Sequence, residues 1–348
     1  MKKIAVTALL TAALVAAAPS AHAMPAAELA GDTPRATVTI GEKALDKDPA
    51  WRETVKNYPG RVKEVWAHSP SMNRDIPLLV ITPADNSVPR PILYMLNGGD
   101  GGEGRANWVA QTDIINFYLD KNVNVVIPMS GKFSYYTDWV GENASLGGKQ
   151  MWETFMTKEL PEPLEKALGA NEKRAIAGMS MSATTTLLYA EHHPGFYDAI
   201  GSYSGCAQTN DGLGEFGAML TLNRGNATLE QMWGPKGSPN RIYNDALINA
   251  NKLSGPMYIS NSSGLAGHWD LYASPRTGGD SSNVATQVIN GGVIEGVTNV
   301  CTHDLKAKLD AAGIPATWNF RPMGTHSWGY WEDDLRDSWA VFAPALGV

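Results

Sequence analysis

Ser180 stands in Gly178-Met179-Ser180-Met181-Ser182, a setting in which a serine hydroxyl can become a nucleophile. An activated serine must stand clear of a sheet on a tight strand-to-helix turn, and small flanking residues make room for that bend. Gly178 lies two positions before it, and small Ser182 occupies the place of the usual second glycine. The apolar run Arg174–Gly178 precedes the turn and helical text from Ser182 to His193 follows it, so the pattern reads as strand, turn, helix. A helix N-cap is the other role a serine fills at this place, and the two are compatible.

A serine also needs a base to take its proton. Beyond the first 23 residues the histidines are His68, His192, His193, His268, His303 and His326. His326 is best placed, in Gly324-Thr325-His326-Ser327-Trp328 between the last predicted strand and the last predicted helix, because in this arrangement the base follows nucleophile and acid in chain order. His192 and His193 close the helix that Ser180 opens, where a cation suits the helix dipole, and they read as caps. The acid that orients the imidazole should follow the strand predicted at 256–260. Asp270, Asp280 and Glu295 all qualify; Glu295 has the more apolar approach, Asn290-Gly291-Gly292-Val293-Ile294, and the spacing leaves the three open.

A second motif, Asn97-Gly98-Gly99-Asp100-Gly101-Gly102-Glu103-Gly104, follows the first buried strand. A glycine-rich turn there can aim a backbone N–H at a developing oxyanion, and Gly99 is assigned that part, with the N–H of Met181 as the second donor. A phosphate cradle is a poor rival: no Gly-Lys-Ser/Thr ending is present, and two carboxylates would repel the ligand. No Cys/His spacing points to a metal, and no cofactor is expected.

The elements that must position these residues alternate. Val62–Trp66 and Ile76–Ile81 read as an antiparallel hairpin at a sheet edge. The runs 91–96, 123–128, 174–178, 199–203, 256–260 and 316–320 are short and apolar on both faces, as buried parallel strands are. Helices are predicted over 114–121, 152–168, 182–193 and 331–342, which gives an α/β-hydrolase fold: a mostly parallel sheet covered on both faces. Residues 24–60, punctuated by prolines, read as an irregular lead-in, and 61–348 as the catalytic domain. Within it 208–255 reads as a cap-like insertion above the sheet, whose Met219, Leu220, Leu222, Met232 and Trp233 are candidates for an apolar trough.

Lys2 and Lys3 before the apolar run Ile4–Ala18, with Ala21-His22-Ala23 behind it, predict a secretory signal over 1–23 and an extracellular or envelope location. No later run is long enough to span a bilayer. Losing Lys2 and Lys3 takes the formal charge from -7 to -9, a surface that does not attract nucleic acid. Cys206 and Cys301, the two cysteines of the chain, lie in the exported part, where a disulfide persists.

Several blocks together resemble the mycolyltransferases of the antigen 85 family, the corynebacterial members above all. They are Leu93-Tyr94-Met95-Leu96-Asn97-Gly98, Phe133-Ser134-Tyr135-Tyr136-Thr137-Asp138-Trp139, Trp152-Glu153-Thr154-Phe155, the Ser180 pentapeptide, Ile294-Glu295-Gly296, and Thr325-His326-Ser327-Trp328-Gly329-Tyr330-Trp331. The resemblance implies Ser180 as nucleophile, His326 as base, Glu295 as acid, and backbone donors at Gly99 and Met181. It implies passage of a mycolyl group from trehalose monomycolate to a hydroxyl of trehalose monomycolate, of arabinogalactan or of a protein. A secreted carboxylesterase, handing the acyl group to water, is the rival. Trehalose contacts are implied at Asn97, Asp100, Ser327 and Trp328. The mycobacterial pattern, however, carries Asp, Leu and Arg where this chain has Asn97, Gly99 and Asp100.

Overall fold

In the computed structural model residues 24–348 are described, and the expected secretory signal lies outside the described residues. The apolar runs become the inner strands of one nine-stranded sheet. Its strands are β1 (Thr37–Ile40), β2 (Val62–Ser69), β3 (Arg74–Ile81), β4 (Arg90–Leu96), β5 (Asn124–Pro128), β6 (Ala170–Met179), β7 (Ala199–Tyr203), β8 (Met257–Ser262) and β9 (Thr317–Arg321). They lie in the order β1-β2-β3-β5-β4-β6-β7-β8-β9. Neighbours from β5 through β9 are parallel, whereas β1, β2 and β3 run antiparallel to one another and join β5 antiparallel.

Burial on both faces follows the two-residue period of a strand. On β4, Ile92, Tyr94 and Leu96 enter one core while Leu93 and Met95 enter the other. Five helices matter to the site: α1 (Met181–His192), α2 (Gly212–Asn223), α3 (Gly292–Ala312), α4 (Trp328–Asp337) and α5 (Trp339–Leu346). Leu187 and Leu188 of α1 and Leu305 and Leu309 of α3 fill the first core; Trp331 and Leu335 of α4 and Phe342 and Leu346 of α5 fill the second.

The structure departs from the expected elements in four places. Residues 24–60 are not irregular: they hold the helix Ala26–Ala30, strand β1 and the helix Ala50–Lys56. The hairpin β2–β3 is therefore not an edge, since β1 covers one side and β5 the other. The helix expected over 152–168 is interrupted by a π-helical turn, Phe155–Glu159, and resumes at Pro161, which has no N–H to continue the ladder. The closing helix divides into α4 and α5 at Ser338. In the insertion, Leu222, Met232 and Trp233 are wholly buried and belong to the core rather than to an open trough, while Met219 and Leu220 of α2 are exposed.

Candidate active site

The candidate site lies where the parallel strands end. Ser180 joins β6 to α1 with φ 57° and ψ -120°, a conformation costly for a side-chain-bearing residue and found where a site requires it. Its N–H donates to the carbonyl of Tyr203 at the end of β7, 2.8 Å away. A Cβ at Gly178 would come within 2.6 Å of Ser182 Oγ and 2.7 Å of Ser182 O, so the turn admits only glycine there. The Ser182 hydroxyl accepts from Met179 N–H at 3.0 Å and reaches the carbonyls of Met179 and Leu96 at 3.1 and 3.3 Å. The residue replacing the second glycine thus pins the turn to the end of β4.

His326 Nε2 lies 2.7 Å from Ser180 Oγ and its Nδ1 2.8 Å from Glu295 Oε2. A carboxylate only accepts, so Nδ1 carries the hydrogen and Nε2 faces the serine hydroxyl as acceptor. Glu295 is wholly buried in the first turn of α3, an end that favours negative charge. Its second oxygen accepts from Ser204 Oγ (2.8 Å), Asn261 Nδ2 (2.9 Å) and Ser262 N–H (2.7 Å), bonds that offset the cost of burying the charge. Trp331 packs edge-on against the His326 ring, centroids 4.8 Å apart, and donates from Nε1 to Ser204 Oγ at 3.0 Å. The disulfide Cys206–Cys301 joins the segment just past Ser204 to α3 beyond Glu295, so both sides of the carboxylate are tied together. Of the other acids considered, Asp280 caps the helix Ser281–Thr286 through Ser282 N–H, and Asp270 bonds the hydroxyls beside His326 rather than its ring.

Residues 69–264 match the family described as "Putative esterase". Across most of its length the chain is 30% identical to diacylglycerol acyltransferase/mycolyltransferase Ag85A of Mycobacterium leprae, over 277 residues covering 77% of this chain and 78% of that protein. It is also 30% identical to Ag85A of Mycobacterium tuberculosis strain H37Rv, over 291 residues and 80% of each. The chain belongs to the Ag85 mycolyltransferase family. Among solved structures, MPT51 (FbpC1) of Mycobacterium tuberculosis superposes with TM-score 0.64 at 20% identity, covering 80% of this chain and 96% of that one. The fluorophosphonate-binding serine hydrolase F of Staphylococcus aureus superposes with TM-score 0.57 at 15% identity, over 81% and 98%. These likenesses show an α/β-hydrolase fold.

The positions at which the Ag85 resemblance implied sugar contacts fall into two groups. Asn97 is fully buried: its Nδ2 donates to Pro128 O at 2.8 Å and its Oδ1 accepts from Trp108 N–H at 3.0 Å, so both ends of the amide are committed to the fold. Ser327 is buried beside Asp270. Asp100 and Trp328 are half-buried. Burial, before any other influence, raises the Asp100 carboxyl, although its Oδ2 accepts from Gly104 N–H at 2.9 Å. Trp328 stands edge-on to Trp108 and Trp331.

Gly99 and Met181 face a loop with unusual backbone. Phe133, Tyr135 and Tyr136 all have positive φ, a strained cluster of the kind that active sites retain. Phe133 N–H donates to Gly99 O at 2.9 Å and Tyr135 N–H to Met181 Sδ at 3.3 Å. The Thr185 and Tyr189 hydroxyls hold the same loop through the carbonyls of Tyr135 and Tyr136. Met181 opens α1, so its own N–H has no partner one turn back in the helix. Ser204 and Asn261 were not singled out from the sequence, and the contacts of Asp270 with Thr325 and Ser327 were not foreseen, because these bonds run between segments remote in sequence. The one local signal was that Asp270 lay among the candidate acids.

Proposed function

We propose that the chain carries a mycolyl group from trehalose monomycolate, through an ester on Ser180, to a second hydroxyl on trehalose monomycolate, arabinogalactan or a protein. The observation that carries this reading is the continuous Ser180–His326–Glu295 hydrogen-bonded relay in a chain of the Ag85 family.

In the first step Ser180 Oγ attacks the ester carbonyl while His326 Nε2 takes its proton, and Glu295 steadies the imidazolium. The N–H groups of Gly99 and Met181 receive the charge on the carbonyl oxygen, each worth on the order of a hundredfold or more in turnover. The bond from the carbonyl carbon to the trehalose oxygen then breaks, and His326 returns the proton to that oxygen. The acceptor hydroxyl reverses these steps: it loses its proton to His326, attacks the Ser180 ester, and Ser180 recovers its proton. Exposed Phe216, Met219 and Leu220 on α2, with Val293 and Ile294 beside Glu295 on α3, offer apolar surface for the long acyl chain. Transfer takes place outside the cytoplasm, after removal of residues 1–23.

Product analysis with trehalose monomycolate tests the reading. Transfer predicts trehalose dimycolate and free trehalose in equal amounts, with little free mycolate. If mycolate is released to water at a rate indifferent to added trehalose or glycolipid, the chain is a carboxylesterase and the proposal fails.

A further inference from the structure

We propose that Asp270 is a positioning residue that fixes the loop carrying His326, and so sets how well Ser180 is activated. The proposal rests on the reading of His326 as the base. Asp270 lies in the turn His268–Asp270 after β8 and is buried. Its Oδ1 accepts from the Thr325 hydroxyl at 2.7 Å and lies 3.4 Å from the Ser327 hydroxyl, the residues on either side of His326. Its Oδ2 accepts from the Tyr330 hydroxyl at 2.7 Å and from Gly267 N–H at 2.9 Å. One carboxylate therefore holds both flanks of the histidine and the first turn of α4.

Backbone contacts extend the same clamp. Gly324 N–H donates to Leu265 O at 2.6 Å and Gly264 N–H to Gly324 O at 2.9 Å, while His326 N–H donates to Gly291 O at 3.1 Å. A Cβ at Gly267 would come within 2.3 Å of the Tyr330 hydroxyl oxygen, so the close approach depends on glycine. Burial first, then the Asp270 carboxylate, pushes the Tyr330 phenol far above its ordinary value, which keeps it a donor. The backbone of His326 is thus held from the Asp270 side and the Gly291 side, while its ring spans Ser180 and Glu295. Asp270 reaches neither the ring nor the serine; its effect runs through Thr325 and Ser327. Displacing a catalytic group by about 1 Å costs on the order of a hundredfold.

Hydrolysis of p-nitrophenyl butyrate and the rate of fluorophosphonate labelling both report Ser180 activation without any acceptor. They therefore separate this proposal from mycolyl transfer: wild-type protein that fails to make dimycolate still reads the role of Asp270, and an inert Asp270 leaves the transfer reading standing. Asp270→Ala is expected to lower kcat about a hundredfold with KM within threefold of wild type, and to slow labelling in parallel. Asp270→Asn should recover to within roughly fivefold, because its oxygen still accepts from Gly267 and Tyr330 and its NH2 donates to the Thr325 and Ser327 hydroxyls. Thr325→Val, nearly isosteric, should cost roughly tenfold in kcat, the worth of one hydrogen bond. A folded Asp270→Ala protein with wild-type kcat, or an Asn variant as poor as the Ala variant, overturns the proposal. Should the Ala variant not fold, Thr325→Val decides: kcat within twofold of wild type refutes the role.

Discussion

Among the described residues two buried glutamates hold histidines, and the two arrangements differ in what each histidine's second nitrogen meets. Glu295 holds His326 by Nδ1 and leaves Nε2 facing a hydroxyl that has a proton to give. Glu153 holds two histidines, His192 Nδ1 and His193 Nε2, each at 2.9 Å, but the remaining nitrogen of His192 faces the carbonyl of Tyr243 at 3.0 Å. The ring is stacked on Tyr243 with centroids 3.7 Å apart. Both nitrogens of His192 face acceptors, so neither is left to take a proton from a substrate. On the proposed reading, what sets His326 apart from His192 as a base is therefore not its carboxylate but what its other nitrogen meets. The histidines read as caps from the sequence do close α1, His192 in its last turn and His193 at its C-cap, and both also tie it to the Trp152–Thr154 helix through Glu153.

The largest effect should come from removing the hydroxyl that distinguishes the pairs. Ser180→Ala should lower kcat by about four to six orders of magnitude and abolish fluorophosphonate labelling. Glu295→Gln, which keeps the shape but not the charge, should cost about a thousandfold to ten-thousandfold in kcat with the thermal midpoint little changed.

The corresponding change at the other pair, Glu153→Gln, should leave kcat within about twofold and act on stability. Burial alone would raise the Glu153 carboxyl, but hydrogen bonds from His192 and His193 and their charges hold it down to about 2, against 4.5 unperturbed. A depressed carboxyl contributes stability that is present above about pH 4.5 and lost as pH falls toward 2. The Gln variant should therefore be less stable by up to about 3 kcal/mol at neutral pH and lose the steep acid dependence in that window, as read by denaturant titration.

Glu191, also on α1, sharpens the contrast in the opposite sense. Neither of its carboxyl oxygens finds a hydrogen-bond partner among the described residues, and burial raises it to about 9. A carboxyl held protonated costs stability progressively as pH rises from 4.5 toward 9. Glu191→Met should thus stabilise the protein by about 2 kcal/mol at pH 7 and hardly at all at pH 4.5, measured by thermal melts at the two pH values.

Legibility from sequence followed the range of the interaction. The strand-turn-helix setting of Ser180 was readable because its requirements are local: Gly178 before it, a small residue after it, a strand behind and a helix ahead. The meeting of His326 with Ser180 was foreseen from its place between the last strand and α4. Glu295 was not separable from Asp270 and Asp280 by spacing, because its selection depends on donors from Ser204, Asn261 and Ser262, all outside its own helix. For Asn97, where the resemblance implied a sugar contact, nothing in the sequence signalled that Pro128 and Trp108 would hold both ends of its amide. Strand β1 was missed because Thr-Val-Thr-Ile is short, sits among prolines and is mostly exposed, so it lacks the apolar run that marked the inner strands.

Intact-mass analysis of the protein quenched during turnover of trehalose monomycolate tests the central claim most directly. The account predicts a mass increase of one mycolyl group, mapped to the peptide bearing Ser180, present in Glu153→Gln protein and missing in Ser180→Ala. Product formation with no adduct on Ser180, or with the acyl group on another residue, would contradict it.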